Sequence, residues 1–286
     1  MTALYYINLD RAPERRTFME AQFADIGVQA QRFRALDARA AGPTGEGGYV
    51  PGSGWRYGLT KAEIACFESH RAVWRRVLEQ GLSSAVIMED DVVLSGATGP
   101  VIESLASAAP EYDLVKLDYS PKPSYFDAVR MMNGVAVRQI LQPITSAGAY
   151  IVSGKGAKKL MKASRRYSDP ADDFITMPRR MWRMYQVFPA VCIQVCLQMM
   201  QIEGKQAPAV SRSTVQPPDP DSPAQCRDKG PLWFRVRREF YTGCRKLYWL
   251  GARASLSRRG GFIGVVPCVE GLSARGGTDI DTDQAQ

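Results

Sequence analysis

Along the first 175 residues, short apolar runs alternate with stripes of apolar positions at helical spacing. Residues 4–9 (LYYINL) are apolar, aromatic and β-branched, the make-up of a buried strand, and the run ends at Asn8-Leu9-Asp10-Arg11. Pro13 stands where a helix can begin, and Phe18, Met19, Phe23 and Ile26 give it a buried stripe that Gly27 closes. Thr60-Lys61-Ala62-Glu63 has the spacing of a capping box, in which a threonine hydroxyl and a glutamate satisfy each other's backbone donors. A helix is therefore expected from there to about Gln80, with Gly81 as its stop. Ile64, Phe67, Trp74, Val77 and Leu78 mark its buried face, and His70 lies on the same stripe. Residues 85–88 (AVIM) read as a second buried strand that runs directly into Glu89-Asp90-Asp91. Residues 113–119 and 149–153 read as further strands, 154–163 as a helix, and Pro170 introduces the polar turn Ala171-Asp172-Asp173. This order predicts an α/β sheet, and such sheets bind ligands outside the carboxyl ends of their strands.

Beyond the sheet the pattern changes character. Residues 37–58 are rich in Gly, Ala and Pro, with Trp55 and Tyr57 near the end, and read as a lid or binding loop. Near residue 207 the periodicity breaks. The predicted organisation is a catalytic domain over 1–206, a Pro/Ser-rich linker over 207–231, a basic amphipathic helical segment over 232–260 and a flexible tail over 261–286.

Composition narrows the class without naming a function. With 45% hydrophobic and 23% charged residues among 286, the chain has the make-up of a globular protein with a sizeable core. No run reaches the ~18 apolar residues of a membrane span, and the N-terminus carries no secretory pattern. The expected location is cytoplasmic, at most peripheral on the inner face of the membrane. Six cysteines without a CxxC pair, and a single histidine, provide no zinc-finger set, so free thiols are expected. The net charge of +8 is local: residues 227–259 hold ten Lys/Arg against two acids. That concentration argues for one basic device and against nucleic acid as a partner of the whole protein.

The triplet Glu89-Asp90-Asp91 carries the most chemistry. Adjacent carboxylates next to a core repel and lose hydration, so a positive partner is expected. Mg²⁺ or Mn²⁺, held by carboxylate oxygens and substrate phosphates, meets that need and neutralises a departing diphosphate.

Four blocks together resemble glycosyltransferase family 25, the bacterial lipopolysaccharide glycosyltransferases and their relatives acting on collagen. They are Tyr6-Ile7-Asn8-Leu9-Asp10-Arg11 with Glu14-Arg15-Arg16; Gly58 to Cys66 continuing through Ser69-His70 to Trp74; residues 85–92; and Gly148-Ala149-Tyr150-Ile151-Val152-Ser153 with Pro170-Ala171-Asp172. The resemblance implies a GT-A-like, Rossmann-like fold with a basic helical appendage, a UDP-sugar donor, and inverting transfer of a hexose, galactose being the extrapolated one. The acceptor it implies is a saccharide or glycolipid of lipopolysaccharide or other surface-glycan synthesis. Asp91 and Glu89 are then the expected metal ligands. Asn8, Asp10, Arg11, Arg15, Glu89, Asp90 and His70 are the expected donor-binding residues, with Arg15 or Arg16 near the phosphates. Ala65 stands where the family usually has Gly.

Inverting transfer needs a base for the acceptor hydroxyl, and Asp172, Asp173 and Asp118 are the candidates. The motif reaches Asp172, while Asp173 beside it leaves the choice open. His70 is read as a buttress of the sugar pocket or of the acidic turn. In the basic segment, Trp233, Val236, Phe240, Cys244, Leu247, Tyr248 and Gly251 trace one face and Arg235, Arg238, Arg245 and Arg253 the other. That face suits either an anionic membrane surface or packing on the domain. Two alternatives to the transferase stand: a metal-dependent phosphohydrolase or nucleotidyltransferase, and a non-catalytic saccharide- or membrane-binding relative.

Overall fold

The computed structural model describes residues 2–39, 48–201 and 228–272. In chain order the strands are β1 (Thr2–Asn8), β2 (Gln31–Arg34), β3 (Ser84–Glu89), β4 (Val92–Leu94), β5 (Leu114–Lys116), β6 (Ser124–Met132), β7 (Val135–Ile140), β8 (Ala149–Ser153), β9 (Met184–Val187), β10 (Cys192–Gln194) and β11 (Phe262–Gly264). The α-helices are α1 (Pro13–Asp25), α2 (Lys61–Glu79), α3 (Thr98–Ser107), α4 (Gly154–Ala163), α5 (Ala171–Ile175), α6 (Val195–Gln201) and α7 (Leu232–Arg258).

Period-two alternation in β1 and β3 sorts their side chains into two layers. Leu4, Tyr6, Val86 and Met88 meet Met19 and Phe23 of α1 and Ile102 and Leu105 of α3. Tyr5, Ile7, Ala85 and Ile87 meet Phe67, Trp74 and Val77 of α2 and Leu160 of α4. Both faces being covered explains why these strands read as continuous apolar runs. Trp74 and Phe67 are fully buried, and each such side chain contributes about 1.5–3 kcal/mol of transfer free energy. The Thr60–Glu63 capping box forms as expected, with Glu63 N–H on the Thr60 hydroxyl and Thr60 N–H on the Glu63 carboxylate.

The main sheet has nine strands in the order β11-β6-β7-β9-β5-β8-β3-β1-β2. It is mixed: β1 runs parallel to β2 and β3, whereas β8 is antiparallel to both β3 and β5. A separate antiparallel pair joins β10 to β4. The α/β class follows the sequence reading. The β6–β7 hairpin turns at Asn133-Gly134, whose φ values of 44° and 83° suit a tight two-residue turn.

The C-terminal region departs from expectation in two ways. Phe262–Gly264 pairs with β6 at the sheet edge, and Ala190 bridges to Cys268, so this part of the expected tail over 261–286 is structured. The rest of the tail from 273, and the linker over 207–231 up to residue 227, lie outside the described residues. In α7 the apolar side chains Trp233, Val236, Phe240, Leu247 and Tyr248 point to solvent. The helix packs instead through Phe234 and Leu256, with Trp249 against Tyr125. Five described cysteines are free thiols.

Candidate active site

The carboxyl ends of β1 and β3 lie side by side, with Ile7 opposite Glu89 in the register. The first acidic residue therefore ends a buried strand, and the next two occupy the turn to β4. Asn8 faces that turn: its side-chain amide donates to Asp90 Oδ2 at 2.7 Å and to the Ala12 carbonyl, and its own oxygen accepts from Arg32 Nε. Arg15, from the first turn of α1, donates to Asp90 Oδ1 at 2.6 Å and lies 3.6 Å from Asp91 Oδ2. Asp90 and Asp91 are 7% and 9% exposed, so this is a nearly buried charge cluster.

Glu89 is held from both sides. Its Oε1 lies 3.3 Å from His70 Nε2 and 3.9 Å from the Cys66 thiol, which donates to it. Helical spacing puts Cys66 and His70 on one face of α2. The other His70 nitrogen meets the Tyr150 hydroxyl at 3.0 Å, and that hydroxyl also accepts from Trp74 Nε1. Gln194, at the end of β10, donates to Glu89 Oε2 at 2.8 Å and to Asp91 Oδ1 at 3.3 Å. Ser146 donates to Gln194 Oε1 and to Asp118. Ser146 has φ of 83°, a left-handed conformation that costs a non-glycine residue of order 1–3 kcal/mol and recurs at functional sites.

Glycine at 148 is set by close approach. A Cβ there would sit 2.8 Å from Gln194 Cγ and 3.0 Å from Asp118 Oδ2. Its carbonyl also accepts from Glu89 N–H.

Like charges and burial disturb the titration of this cluster. Burial first, and then the neighbouring acids, push Glu89 up to about 7, with Arg15 opposing. Asp91 is pushed up to about 7 by burial and by Glu89. Asp172 is pushed up to about 7 by burial and then by Glu89, which places it in the same electrostatic group. His70 is pushed down to about 4 by burial, so the imidazole is neutral at pH 7.

The structure separates the three expected bases. Asp172 faces the Glu89–His70 group. Asp173 forms an ion pair with Arg56 at 3.0 Å. Asp118 is fully buried and held by Lys116 and Ser146, which closes it off from an acceptor.

The expected donor-binding residues also divide. Asn8, Asp90 and His70 join the cluster. Arg15, expected near phosphates, is buried against Asp90 and Asp91, where its charge offsets theirs. Arg16 is half-exposed and pairs with Glu20 on the surface of α1. Asp10 pairs with Arg32 and Arg34, and Arg11 with Asp37, on the rim.

Four partners were not singled out from sequence: Gln194, Ser146, Cys66 and Tyr150. The signal for Gln194 was its polarity inside the apolar stretch 187–200.

A protein-family model described as "Glycosyltransferase family 25 (LPS biosynthesis protein)" matches residues 1–175, which includes every member of this cluster except Gln194. The chain belongs to glycosyltransferase family 25. This family-25 chain is 30% identical over 200 residues to a "Glycosyltransferase 25 family member" of Drosophila pseudoobscura pseudoobscura, covering 63% of the chain and 31% of that protein. It is 36% identical over 90 residues to the "Lacto-N-neotetraose biosynthesis glycosyltransferase LgtE" of Neisseria meningitidis, covering 32% of each. It is also 28% identical over 193 residues to a "Probable inactive glycosyltransferase 25 family member 3" of Bos taurus, covering 60% of the chain and 31% of that protein. The family-25 chain thus spans about a third of the length of these curated relatives.

Proposed function

We propose that the chain is an inverting, metal-dependent glycosyltransferase with a GT-A-like catalytic domain. It takes a hexose from a UDP-sugar, galactose being the extension from the family, and passes it to a saccharide or glycolipid acceptor of surface-glycan synthesis. The observation that carries this reading is the convergence of Glu89, Asp90 and Asp91 at the carboxyl ends of β1 and β3, with Arg15 ion-paired to Asp90 and Asp91 and Asp172 under the electrostatic influence of Glu89.

The donor set suits a hard divalent cation. Its atoms are carboxylate oxygens, whose proton affinity is raised first by burial and then by one another. Asp91 and Glu89 would hold Mn²⁺ or Mg²⁺, which when bound supplies the positive charge that a departing diphosphate needs. Cys66, His70 and Glu89 also bring donor atoms within 4.8 Å of one another, but through a thiol that burial keeps protonated.

The chain's own residues do the rest. Asn8 and Arg15 fix Asp90, and Gln194 spans Glu89 and Asp91, so the turn keeps its shape as charge develops. Asp172 takes the acceptor hydroxyl proton as the oxygen attacks the anomeric carbon. Its raised pKa, about 7, makes it a stronger base than an ordinary aspartate. His70, neutral and held by Tyr150, orients Glu89.

The acceptor reading extends to α7. Its solvent-facing Leu232, Trp233, Val236, Phe240, Leu247 and Tyr248 lie among arginines, a combination that binds an anionic membrane surface. No described helix is long and apolar enough to cross a membrane, so contact would be peripheral.

The test is a panel of UDP-sugars incubated with the protein in Mn²⁺ or EDTA, with nucleotide products resolved by chromatography. Release of intact UDP from one sugar, abolished by EDTA, supports the transferase and names its donor. UMP and a sugar phosphate would instead mark cleavage at phosphorus. No product from any donor, including GDP- and CMP-sugars, would leave the non-catalytic reading.

A further inference from the structure

On the other side of α5 lies a second concave site, distinct from the acidic cluster. It is a cavity of roughly 350 Å³ between the 53–55 segment, the 163–179 region and the first turns of α7. That volume is within the range of small-ligand pockets.

Two features set its chemistry. The walls are aromatic: Trp55, Phe234 and Tyr241 line it, with Trp55 and Tyr241 edge to face at 6.2 Å. The charge is positive: Arg166, Arg179, Arg237 and Arg238 line it against one acid, Asp169. Asp169 is already engaged, accepting from the backbone N–H groups of Trp55 and Arg56 at 2.8 Å each. Arg166 is exposed and makes no ion pair among the described residues. Arg179 donates to the Phe174 and Met177 carbonyls, and burial lowers its pKa to about 10, with Asp169 opposing.

The cavity is mechanically joined to the candidate base. Asp169 pins the 55–56 backbone, Arg56 pairs with Asp173, and Phe174 lines the cavity one turn-side away from Asp172. Of the residues of α5, Phe174 lines the cavity and Asp172 does not.

We infer that this cavity is a saccharide subsite apart from the acidic cluster and takes a sugar bearing a phosphate or carboxylate group. The Tyr241 ring offers an apolar surface to a pyranose, and Arg166, with Arg238 shared with Glu239 at 2.9 Å, offers donors to the anion. The recognition of an anionic sugar stands on the cavity alone.

Glucose 6-phosphate, glucuronate and glucose are titrated by isothermal calorimetry into the full chain and into Arg166→Ala/Arg238→Ala. The melting temperature of the variant shows that it folds. Binding of an anionic sugar, weakened at least fivefold in the variant and at least tenfold in glucose, is expected. The glucose 6-phosphate and glucuronate arms tell phosphate from carboxylate as the preferred group. Inorganic phosphate is a fourth arm, and binding as tight as that of the sugar phosphate would overturn the saccharide half. No binding of any anionic sugar, or equal binding to wild type and variant, overturns the inference. Turnover of UDP-sugars is scored separately. Turnover without anionic-sugar binding sinks the subsite and leaves the transferase, while binding without turnover leaves an anionic-sugar site and sinks the transferase.

Discussion

Replacing Arg15 with methionine removes the counter-charge of the acidic turn while keeping much of its side-chain volume. The guanidinium is nearly buried and lies 2.6 Å from Asp90 and 3.6 Å from Asp91. Breaking a buried pair from one side costs about 3–5 kcal/mol, because the remaining charge is left uncompensated. For a chain of this size that corresponds to a fall in Tm of roughly 6–20 °C. The pH dependence gives the sharper signature. Glu89 and Asp91 are raised in the folded state from ordinary values of 4.5 and 3.8 to about 7. A raised carboxylate contributes most to stability below its unfolded pKa, and that contribution is lost as pH rises through the folded one. Without Arg15 both groups rise further, so the deficit of the variant should be larger at pH 7.5 than at pH 5.5, the loss of the Arg15–Asp90 contact being common to both. Mn²⁺ at pH 7.5 should also recover part of it. Thermal melts of both proteins at the two pH values, with and without Mn²⁺, make the comparison. A Tm within 2 °C of wild type at pH 7.5, or an equal deficit at both pH values, would refute the idea that Arg15 offsets this cluster.

Mn²⁺ should raise the Tm of the wild-type chain at pH 7.5 and do little at pH 5.5, where protons occupy the same carboxylates; a pH-independent rise would place the ion elsewhere. Asp172→Asn should lower kcat at least 100-fold with UDP affinity kept, while Asp173→Asn, which only frees Arg56, should cost less than tenfold; the reverse order in steady-state kinetics would exchange their roles. Gly148→Ala should destabilise by about 1–3 kcal/mol through overpacking and weaken turnover by displacing Gln194, as denaturant unfolding and the UDP assay would register. Trp233→Ala/Phe240→Ala should reduce co-sedimentation with phosphatidylglycerol vesicles and leave the Tm within about 2 °C, since both side chains face solvent; unchanged sedimentation would remove the membrane from the account.

Much of the architecture was legible because local signals agreed with tertiary burial. β1 and β3 read as strands since both faces are covered, and Thr60 and Glu63 announced α2 through a cap that is local in sequence. The acidic turn stood out for the same reason, as three charges ending an apolar run. What stayed hidden depends on contacts far apart in the chain. Gln194 reaches Glu89 across 105 positions, and no local period encodes that meeting. The ion pairs of Arg15 stay hidden because an arginine near an expected phosphate and an arginine buried on carboxylates look alike in one dimension. Asn133-Gly134 is a hairpin signal by residue type, but charges at Asp127, Arg130 and Arg138 mask the alternation of the flanking strands. On α7 the apolar stripe was visible, but its direction was not. Only the packing of Phe234 and Leu256 decides which face meets the domain.

The central claim is that the Glu89-Asp90-Asp91 turn supports glycosyl transfer. Its most direct test is UDP release from the best donor by wild type and Asp91→Asn in saturating Mn²⁺, with both proteins shown to be folded by their melts. A fall of 100-fold or more in the variant, with intact UDP as the wild-type product, is the result expected. Equal turnover by the two proteins would contradict the account and move the chemistry away from this turn.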